Sequence, residues 1–177
     1  MNNRYSRRIL LFALYFSCFP LVSYGEESKL CTTLKSIMEN SSEQYKKYRG
    51  AQINGDPEAP MWVGKATFGA INDCTVFLFV SEKHSLYECM SGKYDSDSQK
   101  IHLLWATMAK LTNECLISGN GNWVVRENKQ DGKKKSTHSF EFAEINSNRS
   151  IIVKLVEKKR NDEPSMWKTS IVISRGQ

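Results

Sequence analysis

The sequence predicts an α+β domain in which two amphipathic helices pack on a mainly antiparallel sheet of about six or seven strands, with two disulfides. Three observations lead to this fold class. Apolar residues recur at helical spacing in two stretches. Seven shorter stretches rich in β-branched and aromatic residues are bounded by turn residues, as antiparallel strands are. Four cysteines follow an N-terminal export segment, which is typical of a disulfide-bonded exported domain.

The first 25 residues have the organisation of a secretory signal peptide. Three arginines precede an apolar core at Ile9 to Val22, and Ser23-Tyr24-Gly25 places small residues at positions −3 and −1. The apolar core is too short for a membrane span, which needs about 20 residues. We expect residues 1–25 to be removed and residues 26–177 to form one domain. The mature protein is then periplasmic or secreted and has no membrane span.

Charge and length limit the partners of the mature chain. Removing 25 of 177 residues leaves 152, which suits a single domain with an ordinary core. Three of the 25 Lys and Arg residues leave with the signal, so 22 basic residues face 19 acidic ones, a net charge of +3. Nucleic-acid-binding domains concentrate far more positive charge on one face, and no nucleic acid partner is predicted.

The cysteines that remain after signal removal are Cys31, Cys74, Cys89 and Cys115. An even number in an oxidising compartment predicts two disulfides, for which three connectivities exist. Pairing Cys74 with Cys89 and Cys31 with Cys115 is favoured, because each bond then joins elements that are expected to be neighbours. A zinc site is the alternative, but closely spaced His or Cys pairs are lacking, so no metal or cofactor is predicted.

The first third of the mature chain reads as a helix, a loop and a strand. Apolar residues at steps of three and four predict a helix from Glu26 to about Tyr48. Gly50 to Pro60 contains several strong helix and strand breakers and is predicted to be a loop. Met61 to Ile71 alternates as a strand does, and Gly69-Ala70 is a candidate bulge.

Asp73 to Met90 is predicted to be the central hairpin of the sheet. Thr75 to Val80 is apolar or β-branched throughout, which predicts a strand covered on both faces. In Leu86 to Met90, Tyr87 and Cys89 share one face. Pairing the two cysteines directly puts Ser81-Glu82 at the turn, where the residue types are poor, so a bulge or a wider loop is expected.

A second helix and four strands complete the chain. Asp95 to Ser98 supplies N-cap candidates for a helix that continues through Ile101 to Cys115 and ends at Gly119-Asn120-Gly121. In the second of the following strands an aromatic inward face begins at His138, while Ser139 points outward. The strands, predicted to form a meander, are Trp123 to Glu127, His138 to Ile145, Ser150 to Glu157 and Trp167 to Ser174.

Catalytic signatures are missing from the local sequence. The histidines His84, His102 and His138 have no carboxylate at a recognisable spacing. No catalytic, cofactor-binding or metal-binding residue is therefore predicted, and the protein is predicted not to be an enzyme.

Two basic runs at predicted hairpin ends are the candidate partner-binding residues. The functional hypothesis is that they border a surface that engages an acidic partner, and the alternative is that they are solvated turns. Lys83 and His84, at the central hairpin turn, are added to this set. The complete candidate set is Lys83, His84, Lys133, Lys134, Lys135, Lys158, Lys159 and Arg160.

In chain order the sequence presents a helix, a loop, Trp62, Phe68-Gly69-Ala70, Asp73-Cys74, Tyr87-Glu88-Cys89, a second helix, Cys115-Leu116 and Trp123. This order resembles small exported bacterial α+β proteins, including immunity proteins that neutralise toxins delivered into the periplasm by type VI secretion. The resemblance covers Leu30 to Trp123 and implies an inhibitor whose partner is a toxic or lytic enzyme.

Two other function classes stay open at this point. One is a secreted enzyme or effector whose site is assembled only in the fold, for example from His84 or His138 with a distant carboxylate. The other is a structural or chaperone-like subunit of the cell envelope.

Overall fold

The computed structural model describes residues 24–117, 122–159 and 163–176. The predicted signal peptide lies outside the described residues, except for Tyr24 and Gly25, which begin the first helix. The helices are α1 (Tyr24–Glu39) and α2 (Ser98–Ile117), and neither is long and apolar enough to cross a membrane. The strands are β1 (Arg49–Gln52), β2 (Met61–Gly64), β3 (Asp73–Phe79), β4 (His84–Met90), β5 (Trp123–Asp131), β6 (Lys135–Glu144), β7 (Arg149–Lys158) and β8 (Met166–Gly176).

Within these residues the strands form one antiparallel sheet in the order β1-β2-β3-β4-β8-β7-β6-β5. The predicted fold class is confirmed, but the predicted strand number of six or seven is wrong, because eight strands are present. The additional strand is β1, which lies in the stretch predicted to join a helix to a loop. Gly50 permits it: a side chain there would meet the Val63 carbonyl oxygen at 2.9 Å, so only glycine allows this close pairing with β2.

The first helix is shorter than predicted. It ends at Glu39 rather than near Tyr48: a 3-10 helix follows at Asn40–Glu43, and Gln44 and Tyr45 then adopt left-handed backbone angles (φ 56° and 58°) before a second 3-10 helix. Burial of Tyr45 explains the irregular path. The Tyr45 ring is fully buried and its hydroxyl donates to the Ile173 carbonyl at 2.9 Å. Core packing thus overrides the helical spacing of the apolar residues.

The predicted strand from Met61 to Ile71 also stops early, at Gly64. Phe68 and Ile71 then bridge each other across a tight turn in which Gly69 has φ 62°. Both apolar side chains are buried, and their burial explains why this segment leaves the sheet rather than extending β2. The expected bulge at Gly69-Ala70 is therefore a turn.

The central hairpin forms as predicted, with a wide turn. Cys74 lies opposite Cys89, pairing continues to Phe79 opposite His84 without a register shift, and four residues close the turn. Lys83 adopts φ 49° in that turn. The expectation that Thr75 to Val80 is covered on both faces is wrong, since Val76 is buried but Thr75 and Phe77 on the other face are only partly buried and Val80 is 46% exposed.

Both disulfides join the favoured partners. Cys74 and Cys89 are crosslinked across β3 and β4, with Cα atoms 4.0 Å apart. Cys31 and Cys115 join α1 to α2, with Cα atoms 5.3 Å apart. Two disulfides fit export to an oxidising compartment.

The predicted meander of the last four strands is confirmed. Phe140 and Phe142 face α2 as predicted, and the Trp105 ring stacks 5.4 Å from the Phe140 ring. Ser139 is on the opposite face, as predicted, and only 8% of it is exposed. The Asn146 turn between β6 and β7 was also predicted, and its φ of 61° suits asparagine.

The two faces of the sheet have different surroundings. Directly paired residues share a face, so the register identifies each side. One face packs against the helices and carries the core residues Val76, Tyr87, Cys89, Phe142, Ile151, Val153, Leu155, Ile171 and Ile173. We call the other side the open face; it carries Thr75, Phe77, Leu86, Glu88, Ile152, Lys154, Ser170 and Val172. Val172 is buried but lies outside the core cluster.

The Cys31–Cys115 disulfide is expected to stabilise the fold more than Cys74–Cys89. The two bonds span sequence separations of 84 and 15 residues, which correspond to about 4.5 and about 3 kcal/mol of chain entropy. Urea denaturation of the two double cysteine-to-alanine variants measures the difference. A larger loss for the short bond would contradict this order, and mature protein is expected to show no free thiol by mass analysis.

Replacing Gly64 with alanine is expected to destabilise the protein by about 2 kcal/mol. The new methyl group would lie 2.7 Å from the Cys74 Cβ and 2.7 Å from the Tyr87 hydroxyl, which also bonds the Ala66 backbone. The matched control is Gly55→Ala, because nothing lies within 4 Å of that position. Denaturation curves in which both variants lose equal stability would refute the steric explanation.

Candidate functional site

The two predicted basic runs meet at one end of the sheet. Lys135 is directly opposite Lys158, and the Lys159 backbone N–H donates to the Lys134 carbonyl at 2.9 Å. Arg160 lies outside the described residues. We call the resulting cluster the lysine end, and its members are Lys133, Lys134, Lys135, Lys158 and Lys159.

Carboxylates neutralise little of the charge at the lysine end. Lys159 is 4.0 Å from Glu157, and in the described part of the chain the other four lysines make no ion pair. A hydrogen bond from Ser136, at 2.5 Å, is the main cause that holds the pKa of Glu157 below its ordinary value. The lysine end therefore presents excess positive charge to solvent.

Lys83 and His84 lie at the opposite end of the sheet. His84 is opposite Gly176 on β8, whereas Lys158 is opposite Met166 at the other terminus of the same strand. Ten residues of extended chain separate these two positions, a distance of roughly 33 Å. The structure unites the two basic runs but does not bring Lys83 and His84 to them.

A shallow cavity of about 450 Å³ lies beside this opposite end. Arg175 and Asn148 are among the residues that line it. Arg149, opposite Arg175, binds Glu144 through two hydrogen bonds of 2.5 Å. Burial raises the pKa of Glu144, but hydrogen bonds from Arg149 and Ser147 outweigh it and lower the pKa overall. Positive charge at this end is thus partly neutralised.

A histidine and carboxylate pair that local sequence reasoning missed lies at the β5–β6 hairpin. His138 Nε2 is 2.6 Å from Glu127 Oε1, and the His138 ring lies 4.3 Å from the Trp105 ring. His138 is opposite Lys129 on β5, and Glu127 is two residues before Lys129. Glu127 and His138 therefore lie on the same face of the sheet. The hairpin register was the signal that could have revealed this pair.

Chemically, a carboxylate can orient a histidine as a general base. A base also needs a nucleophile or a substrate proton within reach. Over the stretches 24–117, 122–159 and 163–176, no hydroxyl or thiol hydrogen-bonds to His138, and no group of three or more His, Cys, Asp and Glu residues is arranged to hold a metal.

The pKa of Glu127 is expected to lie below its ordinary value, first because Lys129 hydrogen-bonds to it and second because His138 does. Carbon-detected NMR titration of the carboxyl group measures this. Lys129→Ala should raise the pKa of Glu127 more than His138→Ala does, while Lys35→Ala should leave it unchanged. Equal pKa values in all four proteins would refute these contacts.

Comparison of the chain with protein-family models, with curated proteins and with solved structures found no match.

Proposed function

We propose that the protein is an exported protein-binding domain, most concretely a periplasmic immunity protein that inhibits a toxic or lytic enzyme by covering its active site. The lysine end is the observation that carries this proposal. It joins two runs of lysine from separate hairpin strands into one exposed cluster with a single distant carboxylate contact. Such a field accelerates encounter with an acidic protein surface.

The crosslinks support the same function. Cys31–Cys115 fixes the helices to each other and Cys74–Cys89 fixes two strands of the sheet. A rigid surface loses less conformational entropy when it binds, so more of the contact free energy appears as affinity. An inhibitor that must stay bound in an oxidising compartment benefits from both properties.

Affinity capture of the mature protein from the periplasm, followed by a toxicity assay, tests the proposal. We expect a captured enzyme whose toxicity rises when the gene for this protein is deleted. Lys133→Glu/Lys134→Glu should slow association about tenfold or more, since it reverses charge at the lysine end.

The matched control is Lys35→Glu/Lys46→Glu, which changes net charge equally at exposed positions on the helical side. Full resistance of the deletion strain to the captured enzyme would exclude an immunity role. Equal slowing by both double variants would exclude the lysine end as the steering surface.

A secreted enzyme is the second candidate function, and the contact between His138 and Glu127 favours it. His138 would act as a base oriented by Glu127, and a substrate would have to supply the reacting group. Hydrolysis of cell-wall material by the purified protein, abolished by His138→Gln, would support this candidate over the inhibitor.

A further inference from the structure

At the lysine end, the sheet register places three carboxylates and four lysines on opposite faces. Glu127 pairs with Phe140, Asp131 with Ser136, and Glu157 with Trp167, so all three carboxylates are on the helix-covered face. The lysines on the open face of the neighbouring strands β6, β7 and β8 are Lys135, Lys154, Lys158 and Lys168. These carboxylates and lysines therefore lie on opposite sides of the sheet at this end, whereas Glu88 and Glu141 lie on the open face farther along the strands and Lys129 lies on the covered face.

The open-face lysines are not arranged for folding stability. Lys135 and Lys158 are directly opposite each other, and like charges at such a pair destabilise a sheet. Among the described residues, no carboxylate lies within 4.0 Å of any of the four ammonium groups. An arrangement that opposes folding and lacks internal partners suits an external acidic ligand.

Small, buried side chains flank Lys154 on the open face. Lys154 lies between Ser139 and Ser170, two small residues that are 8% and 6% exposed. The Lys168 ammonium lies 5.8 Å from the centre of the Tyr94 ring, which adds an aromatic surface at the border. The lysine side chains, rather than the two buried serines, therefore supply the contact surface at this end.

The other half of the open face carries a cluster of partly buried apolar side chains next to Glu88. Phe77 is opposite both Met61 and Leu86, and the Phe77 and Phe79 rings stack 6.4 Å apart. None of these four residues belongs to the core cluster. Contiguous apolar surface of this kind marks interaction sites.

The size of the open face suits a protein partner. Eight strands spaced about 4.8 Å apart, each with about seven residues of about 3.3 Å rise, span roughly 900 Å². A standard protein interface buries about 800 Å² on each partner. Apolar contacts beside charged ones are the usual composition of such interfaces, whereas a nucleic acid or an anionic membrane would use the basic half alone.

We propose that the open face is the docking surface and that its occupant is an acidic protein surface. Partner carboxylates bind over Lys135, Lys154, Lys158 and Lys168, and apolar partner groups bind over Phe77 and Leu86. This proposal rests on the proposed function, because it assumes that the partner is a protein. It adds the surface used and the chemistry that is recognised.

Lys135→Glu distinguishes this role from a structural one, because it should change stability and binding in opposite directions. It replaces a repulsive pair by an attractive one, so the melting temperature should rise, while affinity for an acidic ligand should fall. The binding probe is a short labelled peptide of glutamate and tyrosine, measured by fluorescence anisotropy at several salt concentrations. Lys154→Glu/Lys168→Glu is the second variant, and Lys35→Glu/Lys46→Glu is the control.

We expect the peptide to bind, its affinity to fall with salt, and the Lys154→Glu/Lys168→Glu variant to bind about tenfold more weakly or worse. The control should bind within about twofold of the native protein. Equal weakening in both double variants, or no binding of the peptide, overturns the proposal. Tighter binding of single-stranded DNA or phosphatidylglycerol vesicles through the same lysines overturns it too.

The toxicity assay remains independent of this measurement. Protection from the captured enzyme that survives all open-face variants would refute the docking surface and leave the inhibitor function intact. Loss of protection in Lys154→Glu/Lys168→Glu but not in the control supports both.

Discussion

The pairing of β4 with β8 is the interaction on which the rest of the fold depends. It joins His84–Met90 to Ser170–Gly176, two segments separated by most of the domain. Without it the chain would consist of a hairpin unit and a separate meander, each with an unpaired edge. With it, Tyr87 and Cys89 lie beside Ile173 and Ile171 at the centre of one core.

One long sheet with two described helices has an unavoidable asymmetry. The helices cover one face, and both disulfides act on that side, because Cys74 and Cys89 are core residues of the covered face and Cys31 joins α1 to α2. The open face carries none of these crosslinks. The proposed docking surface therefore lies on the side of the sheet that no disulfide constrains.

Local patterns predicted much of the fold, and non-local contacts account for what they missed. Helix α2, the meander and the central hairpin with its Cys74–Cys89 bond follow from spacing over short ranges, whereas the Cys31–Cys115 pairing depends on the packing of two helices whose cysteines lie 84 residues apart. The early end of α1 accompanies the hydrogen bond from Tyr45 to Ile173, which lies far away in sequence. The pairing of β4 with β8 joins segments about 80 residues apart, and local apolar periodicity cannot predict such a pairing. The meeting of the two basic runs could also have been predicted from the sequence. A turn at Asn146 places Lys135 opposite Lys158, because residues equally far from a hairpin turn pair with each other.

The free-energy contributions of the lysine pairs and of the disulfides explain how the fold tolerates a repulsive surface. A directly opposed pair of like charges costs about 0.2–1 kcal/mol, and solvent screening keeps such costs small on an exposed face. Each disulfide contributes about 3 kcal/mol or more by loop entropy. The crosslinks on the covered side therefore offset several unfavourable lysine contacts on the other side. A lysine pair such as Lys135 and Lys158 can persist because the stability that it removes is supplied by crosslinks elsewhere in the fold.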